Sequence, residues 1–482
     1  MPANDLFLTI DQGGHTSRSL IFNRQGEVLA HESEKVSTDN PKEGWVEHDP
    51  EKMVLSVERA TKKAVDAVGD RAKDILAAGL STQRSNITCW DNKTGKALSP
   101  IISWRDRRAA PWIERFLRHE AAIHQKTGLF PTAHYGVSKL RWCFENLSAV
   151  KKAYADDCLS WGPMASFLLF RMLDQHPLLV DPANASRTLL WNFHSLNWDK
   201  ELLNLFKLPE QPLPRSVPTR YCFGDINVSG KKIPLQIVTG DQSAALFAYG
   251  RPNPETAYIN IGTGAFVQRP FKEYTGGSSK LLTSIVLQNG NELTYVLEGT
   301  VNGAGSALAK VEEELGLDPV ETKQQLPEWL KNAKSPPLFL NGVSGLGTPF
   351  WIPDFKSQFV GNGKNWEKIV GVIESIVFLL CVNIDEMQKL SSPPEKILIS
   401  GGLSALNGLC QKLTDLSGIP IYRPVEYEAT SVGTAYLLRG QPNEWQETKQ
   451  GVWFKPIHKP ELEKRFKQWL NLMNNAILEQ NR

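Results

Sequence analysis

The chain of 482 residues lacks the features that would place it in several large classes. Its six cysteines, at 89, 143, 158, 222, 381 and 410, are scattered, with no Cys-x-x-Cys pair and no His-Cys cluster. That spacing excludes a zinc framework and a disulfide framework, and leaves the thiols as small buried hydrophobes of a reducing compartment. Charge of one sign is also missing, since the formal net charge is +2. No dominant polyanionic partner is implied. The densest basic cluster, Arg105 to Arg108, is interrupted by Asp106 and carries no aromatic ladder, so a nucleic-acid surface is not expected. The longest strongly apolar stretch, Ile376 to Val382, is far too short for a membrane span. Asp5 and Asp11 break any basic, apolar, small-residue leader pattern. No segment is low in complexity. The expectation is a soluble cytoplasmic protein with no membrane partner.

What is present is an alternation of short apolar strands with amphipathic helices, the pattern of an α/β fold. At 41% hydrophobic the chain can bury a sizeable core, and its length suits two large α/β domains or three smaller ones. Glu51 to Val68 reads as a helix with Met53, Val54, Val57, Ala60, Ala64 and Val68 on one face, entered through Pro50. Ile75 to Leu80 reads as a buried strand, and Pro100 to Trp104 as another strand end. Residues 207 to 234, rich in Pro, Gly and basic side chains, read as irregular structure before a strand from Leu235 to Thr239 and a helix from Ser243 to Tyr249. Later helices are expected over Gly305 to Leu315, Ile369 to Leu390 and Leu406 to Leu416, and along a tail stripe of Leu462, Phe466, Leu470, Met473 and Ile477. A hinge near residue 248 divides the chain into domains 1–247 and 248–482.

Three glycine elements carry the functional signal. The strand Leu6 to Ile10 runs into Asp11-Gln12-Gly13-Gly14-His15-Thr16-Ser17-Arg18 and leaves through Ser19 to Phe22. Glycines there let backbone amides face an anion, and a neighbouring carboxylate suits a Mg²⁺ that bridges phosphate oxygens. The same segment also reads as an ordinary hairpin turn. Thr256 to Phe271 repeats the design around Gly262-Thr263-Gly264. Two such hairpins, one near the start of each half, suggest two similar domains facing each other across a cleft. A third element, Ser400-Gly401-Gly402-Leu403, ends a buried strand before a helix, where a flat base or ribose could lie on the backbone, or where the chain simply turns. Ligands in open α/β sheets gather at the carboxyl ends of strands, which singles out Arg84.

With these elements stand, in order, Gly44-Trp45-Val46-Glu47-His48-Asp49-Pro50, Thr82-Gln83-Arg84, Trp104-Arg105-Asp106-Arg107-Arg108, Asn184-Ala185-Ser186-Arg187-Thr188, Gly240-Asp241-Gln242, Leu297-Glu298-Gly299 and Gly345 to Trp351. In this order and spacing the chain resembles the nucleotide-binding core shared by actin, sugar kinases and heat-shock ATPases. Within that superfamily it is most similar to the FGGY carbohydrate kinases of the glycerol kinase type, from Leu6 to Tyr436. The resemblance implies two actin-like (ribonuclease H-like) α/β domains with mixed sheets, and ATP-dependent phosphorylation of a hydroxyl on a small polyol or sugar. It implies that Asp11, with Asp241, holds Mg²⁺, that Asp241 is the general base and that Arg18 serves the γ-phosphate. Gly13, Gly14, His15, Thr16, Thr263, Gly264, Gly303, Gly401, Gly402 and Asn407 fall on the nucleotide loops. Arg84, Ser85, Trp104, His134, Tyr135, Asp241, Gln242 and Phe266 fall on the substrate positions. From the residues alone, Asp241 also reads as a helix N-cap, Arg18 as a surface arginine, and Trp104 and Phe266 as core aromatics.

Four departures bear on substrate and turnover. The usual two threonines after Asp11-Gln12-Gly13 are Gly14 and His15; the usual glutamate after the substrate arginine is Ser85; the usual tyrosine is His134, with Tyr135 alongside; and the usual Ala-Arg-Gly is Phe355-Lys356-Ser357. The second and third favour a ketose or longer polyol over glycerol. Two readings of other classes are a silent sugar- or nucleotide-binding regulator, which would need neither carboxylate, and a nucleotide-driven polymer, which would leave the substrate residues without a purpose. Oligomeric state stays open between a monomer and a homodimer.

Overall fold

In the computed structural model, which describes residues 5–271, 280–425, 428–443 and 450–480, the chain packs into two units. One comprises Met1–Pro252, Thr283–Tyr295 and Glu426–Glu447; the other comprises Asn253–Leu282, Val296–Val425 and Thr448–Arg482.

The first unit is built on a six-stranded sheet in the order Arg220–Val228, Lys231–Gly240, Ile75–Thr82, Leu6–Gln12, Thr16–Asn23, Val28–Lys35. Leu6–Gln12 and Lys231–Gly240 both run parallel to Ile75–Thr82, while the outer pairs are antiparallel. Leu6–Gln12 and Ile75–Thr82 are buried along almost their whole length, as expected of strands covered on both faces, while Lys231–Gly240 is fully buried only at its C-terminal end. Leu6, Leu8, Ile10, Ala78, Leu80 and Val238 enter one core with Val54, Val57, Phe167 and Leu168. The helix Pro50–Ala67 starts because Asp49 accepts hydrogen bonds from the Glu51 and Lys52 amides, and it buries Met53, Val54, Val57, Ala60 and Ala64. A helix from a distant part of the chain, Ala429–Leu438, also belongs to this unit. Its approach is close because Gly79 lies under Thr434 and Gly433 lies against the Ala244 carbonyl, where a Cβ would collide.

In the second unit the hairpin of Thr256–Ile261 and Ala265–Phe271 pairs parallel, through its first strand, with Lys396–Ser400. Ile421–Pro424 and Gly451–Phe454 extend that sheet. The helix Asn365–Gln388 runs through this unit's core, buried on all sides from Ile369 to Ile384, and the tail helix Pro460–Gln480 docks on it with Leu462, Trp469 and Met473.

Three local expectations fail. Residues 207–219 are irregular as expected apart from the short strand Arg215–Ser216, but the rest of the stretch is not: Arg220–Val228 and Lys231–Gly240 form a hairpin around Ser229-Gly230, both with positive φ, as a tight two-residue turn between twisted strands requires. The register shift between Arg220 and Gly224 breaks the alternation that would have announced the strand. The helix expected over Ser243 to Tyr249 is the shorter Asp241–Ala245, and the strand expected from Pro100 to Trp104 is only Ile101–Ile102. Five of the cysteines are buried as expected, but Cys222 is exposed. Among the described residues no helix is long and apolar enough to cross a membrane.

Candidate active site

In the first unit the site grows from three adjacent strand ends. Gln12 and Gly240 both stand in register with Thr82, so the chain leaves the sheet side by side at Gly13, Gln83 and Asp241. Asp11 lies one residue inside its strand, opposite Arg18 on the return strand, and the two side chains form an ion pair at 3.5 Å. Arg18 also reaches Glu428 at 3.6 Å, and His31 lies 3.9 Å from the same carboxylate. Burial, followed by the charge of Asp241, raises the Asp11 carboxyl from 3.8 to about 7, with Arg18 opposing the shift.

Asp241 does not cap its helix. Gly240 is the cap, and Asp241 is the first helical residue, its Oδ1 accepting the Gln242 amide at 2.7 Å. Part of its surface reaches solvent, yet surrounding protein atoms raise its pKa, with Arg84 the largest opposing influence and Arg187 a lesser one. The stem of Arg84 lies across Gly240, where a Cβ would come within 2.5 Å of its Cγ and Cδ. Its guanidinium donates to the Gln242 side chain. Only glycine at 240 leaves room for the arginine beside the carboxylate.

Trp104 is placed by its backbone amide, which donates to Asn86 Oδ1 at 2.8 Å, and its ring lies 5.3 Å from that of His134. His134 in turn meets the buried Tyr135 edge-on at 5.0 Å. Burial, then Lys139, Arg107, Arg187 and Arg84, push the His134 pKa well down, so this imidazole is neutral. Ser85 has φ +66° and is buried, and its Oγ has no hydrogen-bond partner among the described residues. The Nζ of Lys139, whose pKa burial and then Arg107 push well down, holds the turn from behind, donating to the Ser85 carbonyl at 3.2 Å and the His134 carbonyl at 2.6 Å. The structure therefore brings together Asp11, Arg18, Gly13, Gly14, Arg84, Ser85, Trp104, His134, Tyr135, Asp241 and Gln242 within one unit. His15 is exposed and Thr16 half-buried at the hairpin tip.

In the second unit the tip Gly262-Thr263-Gly264 turns its carbonyls toward a following segment. Thr263 accepts from the Ala304 and Ser306 amides, both at 3.0 Å, and Gly262 from the Gly305 amide at 3.0 Å. Gly303 packs against the Val343 carbonyl. Gly401 has φ +90° and sits on Ile261, where a Cβ would come within 2.6 Å of backbone, while a Cβ on Gly402 would meet nothing within 4 Å. Asn407 is exposed at the start of the helix Asn407–Ser417. Thr263, Gly264, Gly303, Gly401 and Gly402 thus gather around one hairpin tip, with Phe266 half-buried on its return strand.

Sequence reasoning missed Glu428, Asn86 and Lys139. Lys139 had a signal, being a lysine on the apolar face of the helix Gly136–Asn146 beside Val137, Leu140 and Cys143. Glu428 had none, for its partners Arg18 and His31 lie some four hundred residues earlier in the chain. Among the described residues no group of three or more His, Cys, Asp or Glu side chains is arranged as a metal site. A Mg²⁺ still fits, because that ion takes hard oxygen donors and is commonly held by one or two carboxylates plus substrate phosphates and water. Asp11 and Asp241 supply two such groups whose mutual repulsion a cation would relieve.

The profile of the FGGY family of carbohydrate kinases matches the chain with its N-terminal domain over residues 6–248 and its C-terminal domain over 257–438. The glycerol kinase of Pseudothermotoga lettingae is 32% identical over 98% of this chain and 99% of its own. The fold is shared with a Plasmodium falciparum glycerol kinase solved with ADP (22% identity, 98% of each chain covered, TM-score 0.87). It is shared as well with a ligand-bound xylulose kinase from Lactobacillus acidophilus (20% identity, 98% of this chain and 97% of the other, TM-score 0.83). The chain belongs to the FGGY family of carbohydrate kinases and is an ATP-dependent kinase of a sugar or polyol.

Proposed function

We propose that Asp241 is the general base that activates the acceptor hydroxyl. The observation that carries this is its place at a strand end beside Asp11, with Arg84 laid across Gly240 next to it. As the acceptor oxygen bonds to the γ-phosphorus, its proton passes to the Asp241 carboxylate, and the bond from that phosphorus to the bridging oxygen breaks with its electron pair left on ADP. A carboxylate whose proton affinity is raised by burial accepts that proton more readily than an exposed one. Asp11, with Asp241, would hold a Mg²⁺, which when bound neutralises charge on the phosphate oxygens. Arg18 serves the γ-phosphate, Gly13, Gly14, His15 and Thr16 line the first phosphate turn, and Thr263, Gly264, Gly303, Gly401, Gly402 and Asn407 receive the nucleotide. Arg84, Gln242, Trp104, His134, Tyr135 and Phe266 bind the acceptor, the arginine and amide holding hydroxyls and the rings packing the carbon chain.

Glycerol, the substrate named by the curated relative, is the first acceptor to test. A ketopentose or longer polyol is the second reading, favoured by the single short hydroxyl that Ser85 contributes. ADP release measured across glycerol, tetritols, pentitols, ketopentoses and gluconate identifies the acceptor. On it, Asp241→Asn is expected to lower kcat by about 10²–10⁴ while binding of metal-free ATP by calorimetry stays near wild type. Wild-type turnover in that variant would remove Asp241 from the role of base.

A further inference from the structure

Gln83 occupies the middle strand end of the three, between Gly13 of the first phosphate turn and Asp241. Its backbone is fixed, the amide donating to the Gln12 carbonyl at 3.1 Å. Its side chain is only 7% exposed and lies against Gly14, where a Cβ would come within 3.2 Å of Oε1. Nε2 of that carboxamide is fully buried and has no hydrogen-bond partner among the described residues. A buried donor left without an acceptor is costly, and an apolar side chain of the same size would remove the cost. Two of the neighbouring groups at these strand ends, Asp11 and Asp241, are carboxylates, which repel phosphoryl oxygens. A neutral amide placed between them supplies hydrogen without adding to that repulsion.

We propose that Gln83 is a catalytic residue whose Nε2 donates to an oxygen of the phosphoryl group in transfer. The proposal rests on the reading of Asp241 as base and of Gly13-Gly14 as the phosphate turn. Negative charge is spread over the three non-bridging oxygens in the transition state, and a fixed donor in a water-poor site stabilises it without reorganising. The flatness of Gly14 is part of the same arrangement, since a side chain there would press on the carboxamide and move it.

Gln83→Met tests the idea, because it keeps length and volume and removes the donor. The expected result is a fall in kcat of about 10²–10³ with KM for ATP and acceptor close to wild type. The melting temperature should be unchanged or higher, because a buried unpaired polar group has gone. Gln83→Glu, which keeps the shape but puts a third negative charge at the strand ends, should lose more activity than Gln83→Met. Affinity for ADP with aluminium fluoride, a mimic of the phosphoryl group in flight, should drop in Gln83→Met while affinity for ADP alone holds. A kcat near wild type would overturn the proposal. So would a fall in kcat accompanied by a lower melting temperature and higher KM for both substrates, the mark of a structural role. If the wild-type protein turns over no acceptor in the panel, the acceptor reading is what fails, and the two ADP affinities still decide for or against Gln83.

Discussion

Ser85 is held in a left-handed backbone conformation that side chains other than glycine adopt at some cost, and the cost is the same for serine as for glutamate. Because Lys139 fixes the Ser85 carbonyl at 3.2 Å, the turn does not depend on the side chain it carries. A longer acid at 85 leaves that backbone anchor in place. Glutamate would add two acceptor oxygens for hydroxyls beside the donors of Arg84, and each such charged hydrogen bond is worth roughly 1.5–3 kcal/mol, or about one to two orders of magnitude in kcat/KM. Ser85→Glu is expected to raise kcat/KM for glycerol and to lower it for the native acceptor, which would use the room that serine leaves. Steady-state kinetics on both acceptors side by side decide it, and a parallel change in the two would show that residue 85 does not set specificity. At this scale the sequence was readable wherever a polar residue ended an apolar strand, as Asp11, Arg84 and Asp241 do. It was only half readable where a side chain acts on distant carbonyls: Lys139 signals its burial by lying on an apolar helix face, but nothing near it in the chain announces Ser85 as a partner.

Elements were recovered where periodicity was clean: the first hairpin, the helices Pro50–Ala67 and Asn365–Gln388, and the strand Lys396–Ser400. The hairpin of Arg220–Val228 was not, because Gly224 has φ +137° at a register shift and splits the apolar alternation of Phe223, Ile226 and Val228 into pieces too short to count. The turn at Gly401-Gly402 shows how two neighbouring glycines divide two duties. Gly401 alone has the positive φ and the backbone contact with Ile261; Gly402 has an ordinary φ and faces open space. Substitution at the two positions should therefore have different effects. Gly401→Ala should lower stability by about 1–2 kcal/mol or more through the left-handed φ and the clash with Ile261. Gly402→Val should leave the melting temperature near wild type and weaken binding of a non-hydrolysable ATP analogue by calorimetry. Unchanged analogue affinity in Gly402→Val would take this turn out of the nucleotide site.

Across the whole molecule, the order of the chain and the order of packing differ, and that difference was invisible to patterns read along the sequence. The family domains end and begin near residues 248 and 257, yet the first compact unit also takes in Thr283–Tyr295 and Glu426–Glu447. Its helix Ala429–Leu438 packs Val432 and Ala435 with Leu20, Phe22 and Ala248, and Arg220 donates to the Leu437 and Leu438 carbonyls at its end. Val432, Tyr436, Leu437 and Leu438 are all buried there. Each such side chain contributes about 1.5–3 kcal/mol by burial, so four together approach the 5–15 kcal/mol that stabilises a typical domain. A fragment of residues 1–252 should therefore fail to fold as a stable unit, although it holds every strand of the six-stranded sheet. Joining residues 426–447 to its C-terminus through a flexible Gly-Ser linker should restore a cooperative urea transition and near-ultraviolet circular dichroism. The same linked fragment carrying Gly433→Leu should not, because the helix could no longer lie against the Ala244 carbonyl. A cooperative transition in the unlinked 1–252 fragment would mean that the late helix only rests on a unit already complete without it.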